Sequence, residues 1–315
     1  MKAIILNTPG GAENLSMQEL DKPVLQEGEV LVKVHAVSIN PVDIKTRKGG
    51  ALFQRLNEQP PVILGWDISG EVVEVAPGVT RFREGDAVFG MVNFPGAGKA
   101  YADYVAAPAD HLALKPDNIS HSEAAASTLA ALTSYQVLIH EAGLKEGQNV
   151  LVHAAAGGVG HFAVQIARHF GATVSGTASA PNAGFLKELG VRQVIDYTKE
   201  RFEEKATDVD IILDPVGGET TILSLQALRK GGILISIVGG VKDLMKDTLE
   251  RKGIRARNYL VHSSGADMEV IARLLQEGSL KPHVSQEFSF DQMAQAQQQI
   301  ETGRTRGKIV VRMDL

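Results

Sequence analysis

The residues best suited to chemistry are Gly157, Gly158, Val159 and Gly160, in the run Ala155-Ala156-Gly157-Gly158-Val159-Gly160. Glycines set this closely suit the binding of an anion. Gly157 lets the backbone come close to a pyrophosphate, and Gly160 removes a Cβ that would hold a following helix away from its strand. A helix beginning here adds unpaired N–H groups and the positive end of its dipole. The elements needed to position such a turn flank it directly. Asn149–Ala154, with Val150, Leu151 and Val152 in succession, reads as a strand buried on both faces. Val159, Phe162, Ala163, Ile166, Ala167 and Phe170 then recur at the spacing of an amphipathic helix. Strand, glycine turn and helix without a gap make the first half of a dinucleotide-binding βαβ unit. The usual first glycine is Ala155 here, so the fingerprint is A-x-G-x-x-G.

At 315 residues the chain is expected to hold two domains. A hydrophobic fraction of 44% with 22% charged residues is that of an ordinary globular protein. The net charge of -5 argues against a nucleic-acid-binding surface as the main purpose. No apolar run is long enough to cross a bilayer, and Met1-Lys2-Ala3-Ile4 leads into a strand-like segment rather than a signal peptide. No membrane association is expected, and the expected compartment is the cytoplasm. The absence of cysteine removes disulfides, a thiol nucleophile and thiolate metal ligands.

Up to about residue 120 the texture is that of β structure. Val30–Val37, Gly70–Val75 and Ala87–Met91 read as short strands punctuated by glycine and proline, which suggests a compact, partly open barrel. Ser122–Leu132 is alanine-rich and helical, and Thr133–Ala142 continues the pattern. Beyond the glycine turn, strands at Ala172–Ala178, Gln193–Tyr197, Val209–Val216, Ile233–Val238 and Arg255–Val261 alternate with helices at Ala183–Leu189 and Glu219–Leu228. This alternation implies an α/β unit with a parallel sheet covered on both faces. The tail gives helices at Met268–Leu275 and Gln292–Glu301, an extended Val284–Phe290 and a strand Lys308–Arg312 expected to return to the first domain. The expected domains are residues 1–121 with 267–315, and 122–266.

Several motifs fall in a fixed order: Asn40-Pro41-Val42-Asp43, Gly65-Trp66-Asp67-Ile68-Ser69-Gly70-Glu71-Val72, Gly85-Asp86-Ala87-Val88, Ala155–Gly160 and Gly307-Lys308-Ile309-Val310. In these the chain resembles the medium-chain dehydrogenase/reductase superfamily, and within it the zinc-free quinone oxidoreductase (zeta-crystallin-like) and enone reductase branch. The resemblance runs essentially end to end. It implies a Rossmann doubly wound parallel sheet plus a GroES-like β-rich substrate domain, with NAD(P)H as hydride donor and a quinone or enone as small-molecule substrate. Alcohol dehydrogenases of the superfamily carry a catalytic zinc, but here Trp66 replaces the histidine of their G-H-E motif and Asp67 its glutamate. The nine histidines are scattered without ligand-like spacing, so no metal is expected.

An NAD-preferring unit places an acid about twenty residues beyond its glycines to bond the ribose 2′-OH. That position falls in Thr177-Ala178-Ser179-Ala180, which has no carboxylate. Ser179 is able to donate to a 2′-phosphate, so NADPH is the expected cofactor, although Pro181-Asn182-Ala183 lacks the cation that relatives often carry. Tyr197 matches a tyrosine beside the adenosine phosphate in similar proteins, or caps the sheet as a strand-end aromatic. Lys45 sits where plant-type enone reductases have a lysine near cofactor and substrate, suited to charge developing on a carbonyl oxygen; the alternative is a solvated lysine. Asn40 either orients substrate or holds the turn before Pro41. Thr133 matches a position facing the nicotinamide, or bonds its own helix backbone. Val238 and Gly239 end a strand on the carboxyl edge where ligands bind in such sheets. Arg306 either reaches a cofactor phosphate or is a solvated arginine in a glycine-rich turn. The substrate pocket is expected from loops such as Gly49–Pro60 and Phe94–Tyr101.

A second reading is a cofactor-binding protein with an RNA-binding or structural role, as for some relatives. An aromatic content of 5% and the negative charge offer it little. A homodimer is expected, because Ile233–Val238 and Arg255–Val261 lie near a sheet edge that must be covered or paired.

Overall fold

The computed structural model describes residues 1–50, 52–58, 60–241 and 246–313. The loop expected over 49–60 therefore lies partly outside the described residues. Contacts divide the chain into two units: Met1–Leu132, Val261–Gly278 and Pro282–Leu315 in the first, Thr133–Leu260 and Ser279–Lys281 in the second.

The first unit opens with the hairpin β1 (Lys2–Leu6) and β2 (Leu15–Glu19). A larger sheet follows, built from β3 (Glu29–Ile39), β4 (Asp67–Val75), β5 (Ala87–Met91), β6 (Tyr104–Pro108) and β7 (Leu112–Leu114). It is completed by β14 (Val284–Ser289) and β15 (Lys308–Arg312), in the order β14-β15-β3-β4-β5-β7, with β6 also paired to β3. β15 runs antiparallel to β3 with Ile309 opposite Ile39, so the tail closes the sheet that the N-terminal third begins. Helices α1 (Pro41–Arg47) and α2 (Phe53–Asn57) lie between β3 and β4.

Helix α3 (His121–Ala126) opens on Ser120, whose hydroxyl accepts the Glu123 amide while Glu123 returns a bond to the Ser120 amide. Its alanines show which unit it joins. Ala125 and Ala126 pack against Ala36 of β3 and Val310 of β15, a contact that small side chains allow, so α3 belongs to the first unit. The main crossings fall at 132/133 and 260/261, where sequence texture places them at 121/122 and 266/267, and Ser279–Lys281 also belongs to the second unit. The helix expected over 122–142 is also three pieces: α3, α4 (Leu129–Tyr135) and a π-helical stretch Gln136–Glu141. Ser127 and Thr128 make the break, each turning its hydroxyl back onto a carbonyl of the preceding turn.

The second unit is a six-stranded parallel sheet in the order β10-β9-β8-β11-β12-β13. Its strands are β8 (Asn149–Val152), β9 (Thr173–Ala178), β10 (Gln193–Asp196), β11 (Val209–Asp214), β12 (Leu228–Ser236) and β13 (Arg255–Asn258). Helices α5 (Gly158–His169), α6 (Ala183–Glu188), α7 (Phe202–Lys205), α8 (Glu219–Ala227) and α9 (Lys246–Lys252) connect them. The order reverses at β8, so the turn after β8 sits at the topological switch point, where ligands bind in such sheets. Leu151, Ile195, Phe202, Ile212, Leu225 and Leu234 share one core beneath it. β13 departs from expectation. It is short, ends at Asn258, and carries the mostly exposed sequence Arg-Ala-Arg-Asn on the sheet edge rather than an apolar face. Helices α10 (Gly265–Gln276) and α11 (Met293–Glu301) complete the first unit. Among the described residues, no helix is long and apolar enough to cross a membrane.

Candidate dinucleotide site and buried charge cluster

The chain leaves β8 through His153 and turns at Ala154, whose φ of +45° is left-handed. That backbone costs a residue with a Cβ about 1 kcal/mol. It falls one position before the alanine that stands for the usual first glycine. Two bonds to Thr177, at the end of β9, hold the turn: its hydroxyl accepts the Ala154 amide at 3.2 Å and its carbonyl the Ala155 amide at 2.9 Å. The Ala154 carbonyl then accepts the Gly157 amide at 2.8 Å.

The glycines divide by role. A Cβ on Gly160 would lie 2.3 Å from the Ala154 carbonyl oxygen and 2.7 Å from Ala155 Cα, so the fold itself forbids one. A Cβ on Gly157 would meet only that carbonyl oxygen, at 3.2 Å, and its φ of -79° suits any residue. Gly157 is therefore not demanded by the protein's own packing in the way Gly160 is. The first intrahelical amide bonded back is that of His161, to the Gly157 carbonyl, so the Gly158, Val159 and Gly160 amides form the orphan set at the start of α5. Ser134, beside the buried Thr133 on α4, donates to the Val159 carbonyl at 2.9 Å.

Other expected residues lie along the carboxyl edge of this sheet. Ser179 follows β9, half-buried, with its hydroxyl accepting from Asn182 Nδ2 at 3.3 Å. Tyr197 follows β10 and is 60% exposed. Val238, 40% exposed, and Gly239 follow β12, where Ser236 Oγ donates to the Gly239 carbonyl. Sequence reasoning missed Asp214 at the end of β11. It is fully buried and accepts from the Val216 and Gly217 amides at 2.9 Å and from Thr221 Oγ1 at 2.5 Å, fixing the entry to α8. An acid closing an apolar strand before Pro-Val-Gly-Gly was a legible signal for it.

In the first unit, Asn40 and Lys45 sit at opposite extremes of exposure. Asn40 is buried: Nδ2 donates to Asp67 Oδ2 at 2.7 Å, and Oδ1 accepts from Lys308 Nζ at 2.5 Å. Asp67 Oδ2 also accepts from Ser38 Oγ at 2.6 Å, and Oδ1 from the Leu129 amide at 3.0 Å. Asp43, on α1, accepts the Asn40 amide at 2.6 Å. Burial pushes its carboxyl up to about 7; Asp67 adds to the rise, while the Asn40 amide and Lys308 oppose it. Burial also pulls Lys308 below the ordinary lysine range, against the pull of Asp67 and Asp43. Lys45 projects from the exposed face of α1. Arg306 is half-buried in the turn before β15 and helps burial to lower the His283 imidazole.

Comparison with known proteins places this geometry. The family described as "Alcohol dehydrogenase GroES-like domain" matches residues 26–117, and that described as "Zinc-binding dehydrogenase" matches residues 189–311. The 2-methylene-furan-3-one reductase of Solanum lycopersicum is 35% identical, covering 99% of this chain and 79% of its own. The chain belongs to the medium-chain dehydrogenase/reductase superfamily. The NADPH-dependent alkenal/one oxidoreductase, chloroplastic, of Arabidopsis thaliana is 32% identical over 99% of this chain and 79% of its own. Among solved structures, the quinone oxidoreductase from Coxiella burnetii superposes with a TM-score of 0.91 at 36% identity, covering 99% of both chains.

As a medium-chain dehydrogenase/reductase, this chain departs from the zinc-holding members, and its residues do not fit the metal. Trp66 is fully buried, edge-on to Phe94, with Nε1 donating to the Gly96 carbonyl at 2.7 Å. Asp67 has donors on both oxygens, and the chain has no cysteine. Among the described residues no group of three or more His, Cys, Asp or Glu is placed to hold a metal ion. A dinucleotide fits better: orphan amides, a glycine less constrained by packing than Gly160, and no carboxylate at the end of β9.

Proposed function

We propose that this protein is an NADPH-dependent, zinc-independent reductase of quinones or α,β-unsaturated carbonyls. The observation that carries the reading is the turn after β8, where the Gly158, Val159 and Gly160 amides open the buried helix α5 at the switch point of the sheet. The relatives named as alkenal/one oxidoreductase, furanone reductase and quinone oxidoreductase support it.

NADPH, when bound, supplies the hydride. Gly157 through Gly160 would receive its diphosphate. Ser179 would donate to the 2′-phosphate, with Tyr197 beside the adenosine and Arg306 as a further phosphate contact. Thr133, Val238 and Gly239 would line the nicotinamide. Lys45 is the proposed cation for negative charge building on the acceptor's carbonyl oxygen. Asn40 spends both side-chain groups inside the buried cluster, so of its two expected roles we favour holding α1. Solvent supplies the proton, because hydride addition to a quinone leaves a stabilised anion that water protonates.

The assembly we propose is a homodimer formed through the edge strand β13, and the proposed compartment is the cytoplasm, although relatives are named as chloroplastic and as mitochondrial. Sedimentation giving only a monomer would remove the dimer. The RNA-binding or structural alternative gains no support from these relatives, each named for reduction or oxidation.

Stopped-flow decay of NADPH absorbance with a simple quinone and with a short 2-alkenal tests the reading. Saturable consumption, equimolar with acceptor, is expected. No turnover with any electron-poor acceptor would end it.

A further inference from the structure

We propose that Thr177 is a positioning residue for the dinucleotide site: oriented by His153, its hydroxyl fixes the left-handed Ala154 from which the glycine turn departs. This rests on the reading of that turn as a dinucleotide site.

The geometry is a chain of hydrogen bonds with one direction. Ser224 Oγ, on α8, donates to the Thr220 carbonyl at 2.6 Å. Its single proton is used there, so toward His153 Nε2, at 2.8 Å, it can only accept. Nε2 therefore carries the proton of a neutral imidazole, and Nδ1 is the acceptor facing Thr177 Oγ1 at 3.2 Å. The Thr177 hydroxyl gives its proton to Nδ1 and turns a lone pair to the Ala154 amide at 3.2 Å. Ser224, His153 and Thr177 thus each donate to one partner and accept from another. The imidazole is 1% exposed and stands edge-on to Phe202 at 4.5 Å. Burial holds it neutral, with a pKa of about 4 against the opposing pull of Asp214.

The end of the chain is where this bears on function. Alanine lacks glycine's freedom at φ +45°, so the conformation of Ala154 depends on what holds its amide. Thr177 does so, and the Ala154 carbonyl in turn receives the Gly157 amide at 2.8 Å. A shift of the Thr177 hydroxyl is thereby passed to the first residue that would meet a diphosphate. If Thr177 merely tied β9 to the core, its loss would matter to stability and not to the nucleotide.

The test uses the full chain with Thr177→Val, Thr177→Ser and the double variant Thr177→Val/Ala154→Gly, reading NADPH affinity by calorimetry and steady-state constants. Thr177→Val is expected to raise both Kd and KM for NADPH about tenfold, the worth of one hydrogen bond, with kcat falling by less than about threefold. Thr177→Ser restores binding, and Ala154→Gly recovers most of what Thr177→Val loses, because glycine takes the left-handed backbone unaided. Wild-type affinity in Thr177→Val, or no recovery in the double variant, overturns the proposal. Hydrogen exchange on the unsubstituted protein is the second measurement: the Ala154 amide should be protected without nucleotide, and exchange as fast as an open turn amide overturns the proposal. A wild-type chain that binds no nicotinamide nucleotide sinks the reading of the turn and this proposal with it. Normal wild-type binding with an indifferent Thr177→Val variant sinks this proposal alone.

Discussion

Lys308 and Asp67 face one another at 3.6 Å, with neither side chain open to solvent. Asn40 lies between them, its Nδ2 donating to the acid and its Oδ1 accepting from the amine. The pair joins the last strand of the first unit to β4, and it also holds the residue before α1. Removing one member of a buried pair leaves the other charge unpaired, which costs about 4 kcal/mol. Lys308→Met should lower stability in urea denaturation by that order, and adding Asp67→Asn should return part of the loss. A cost under about 1 kcal/mol would mean that the pair is no better than a surface bridge.

Asp43 makes the same cluster sensitive to pH. Its carboxyl is raised from an ordinary 3.8 to about 7, first by burial and then by Asp67, against the Asn40 amide and Lys308. Because the folded value lies above the unfolded one, this contribution to stability is complete below 3.8 and is lost as pH rises through about 7. The loss is on the order of 4 kcal/mol. Asp43→Asn should flatten the fall in stability across that window in denaturation series at stepped pH. Parallel curves for the two proteins would contradict it.

Lys45 differs from these residues in being exposed, two positions beyond Asp43 on α1. Lys45→Met should leave the fold and NADPH affinity in place and lower kcat/KM for a 2-alkenal by about a hundredfold, the scale of losing one preorganised donor to a developing oxyanion. Unchanged kinetics would make it a solvated lysine.

Ser179 stands where an NAD-preferring chain has an acid. Ser179→Asp introduces repulsion toward a 2′-phosphate and an acceptor for a 2′-hydroxyl. The NADPH-to-NADH ratio of kcat/KM should fall by more than about tenfold. An unmoved ratio would place the selecting contact elsewhere.

Much of the second unit was legible because its signals are local. Val150-Leu151-Val152, the glycines and the apolar spacing of α5 each announce themselves within one window, and β8 and α5 fall within two residues of expectation. What stayed hidden is long-range. His153 meets partners 24 and 71 positions away, and Lys308 reaches Asn40 across 268. No local pattern separates a lysine that opens an edge strand from one sealed inside. Asn40 shows the same limit, since its motif marks its importance but not which neighbours claim its amide. β13 was misjudged because Arg255–Val261 joins a polar strand of four residues to an apolar segment beyond it.

The central claim is that the turn after β8 holds a dinucleotide, and Gly157 tests it most directly because the packing constrains it far less than Gly160. Calorimetric titration of NADPH into the wild-type chain and Gly157→Ala should show saturable binding in the first. In the second, affinity should be about tenfold weaker with a smaller loss of stability than in Gly160→Ala, which should lose about 2 kcal/mol outright. Equal NADPH affinity in the wild-type and Gly157→Ala chains, or no binding to either, would contradict the account.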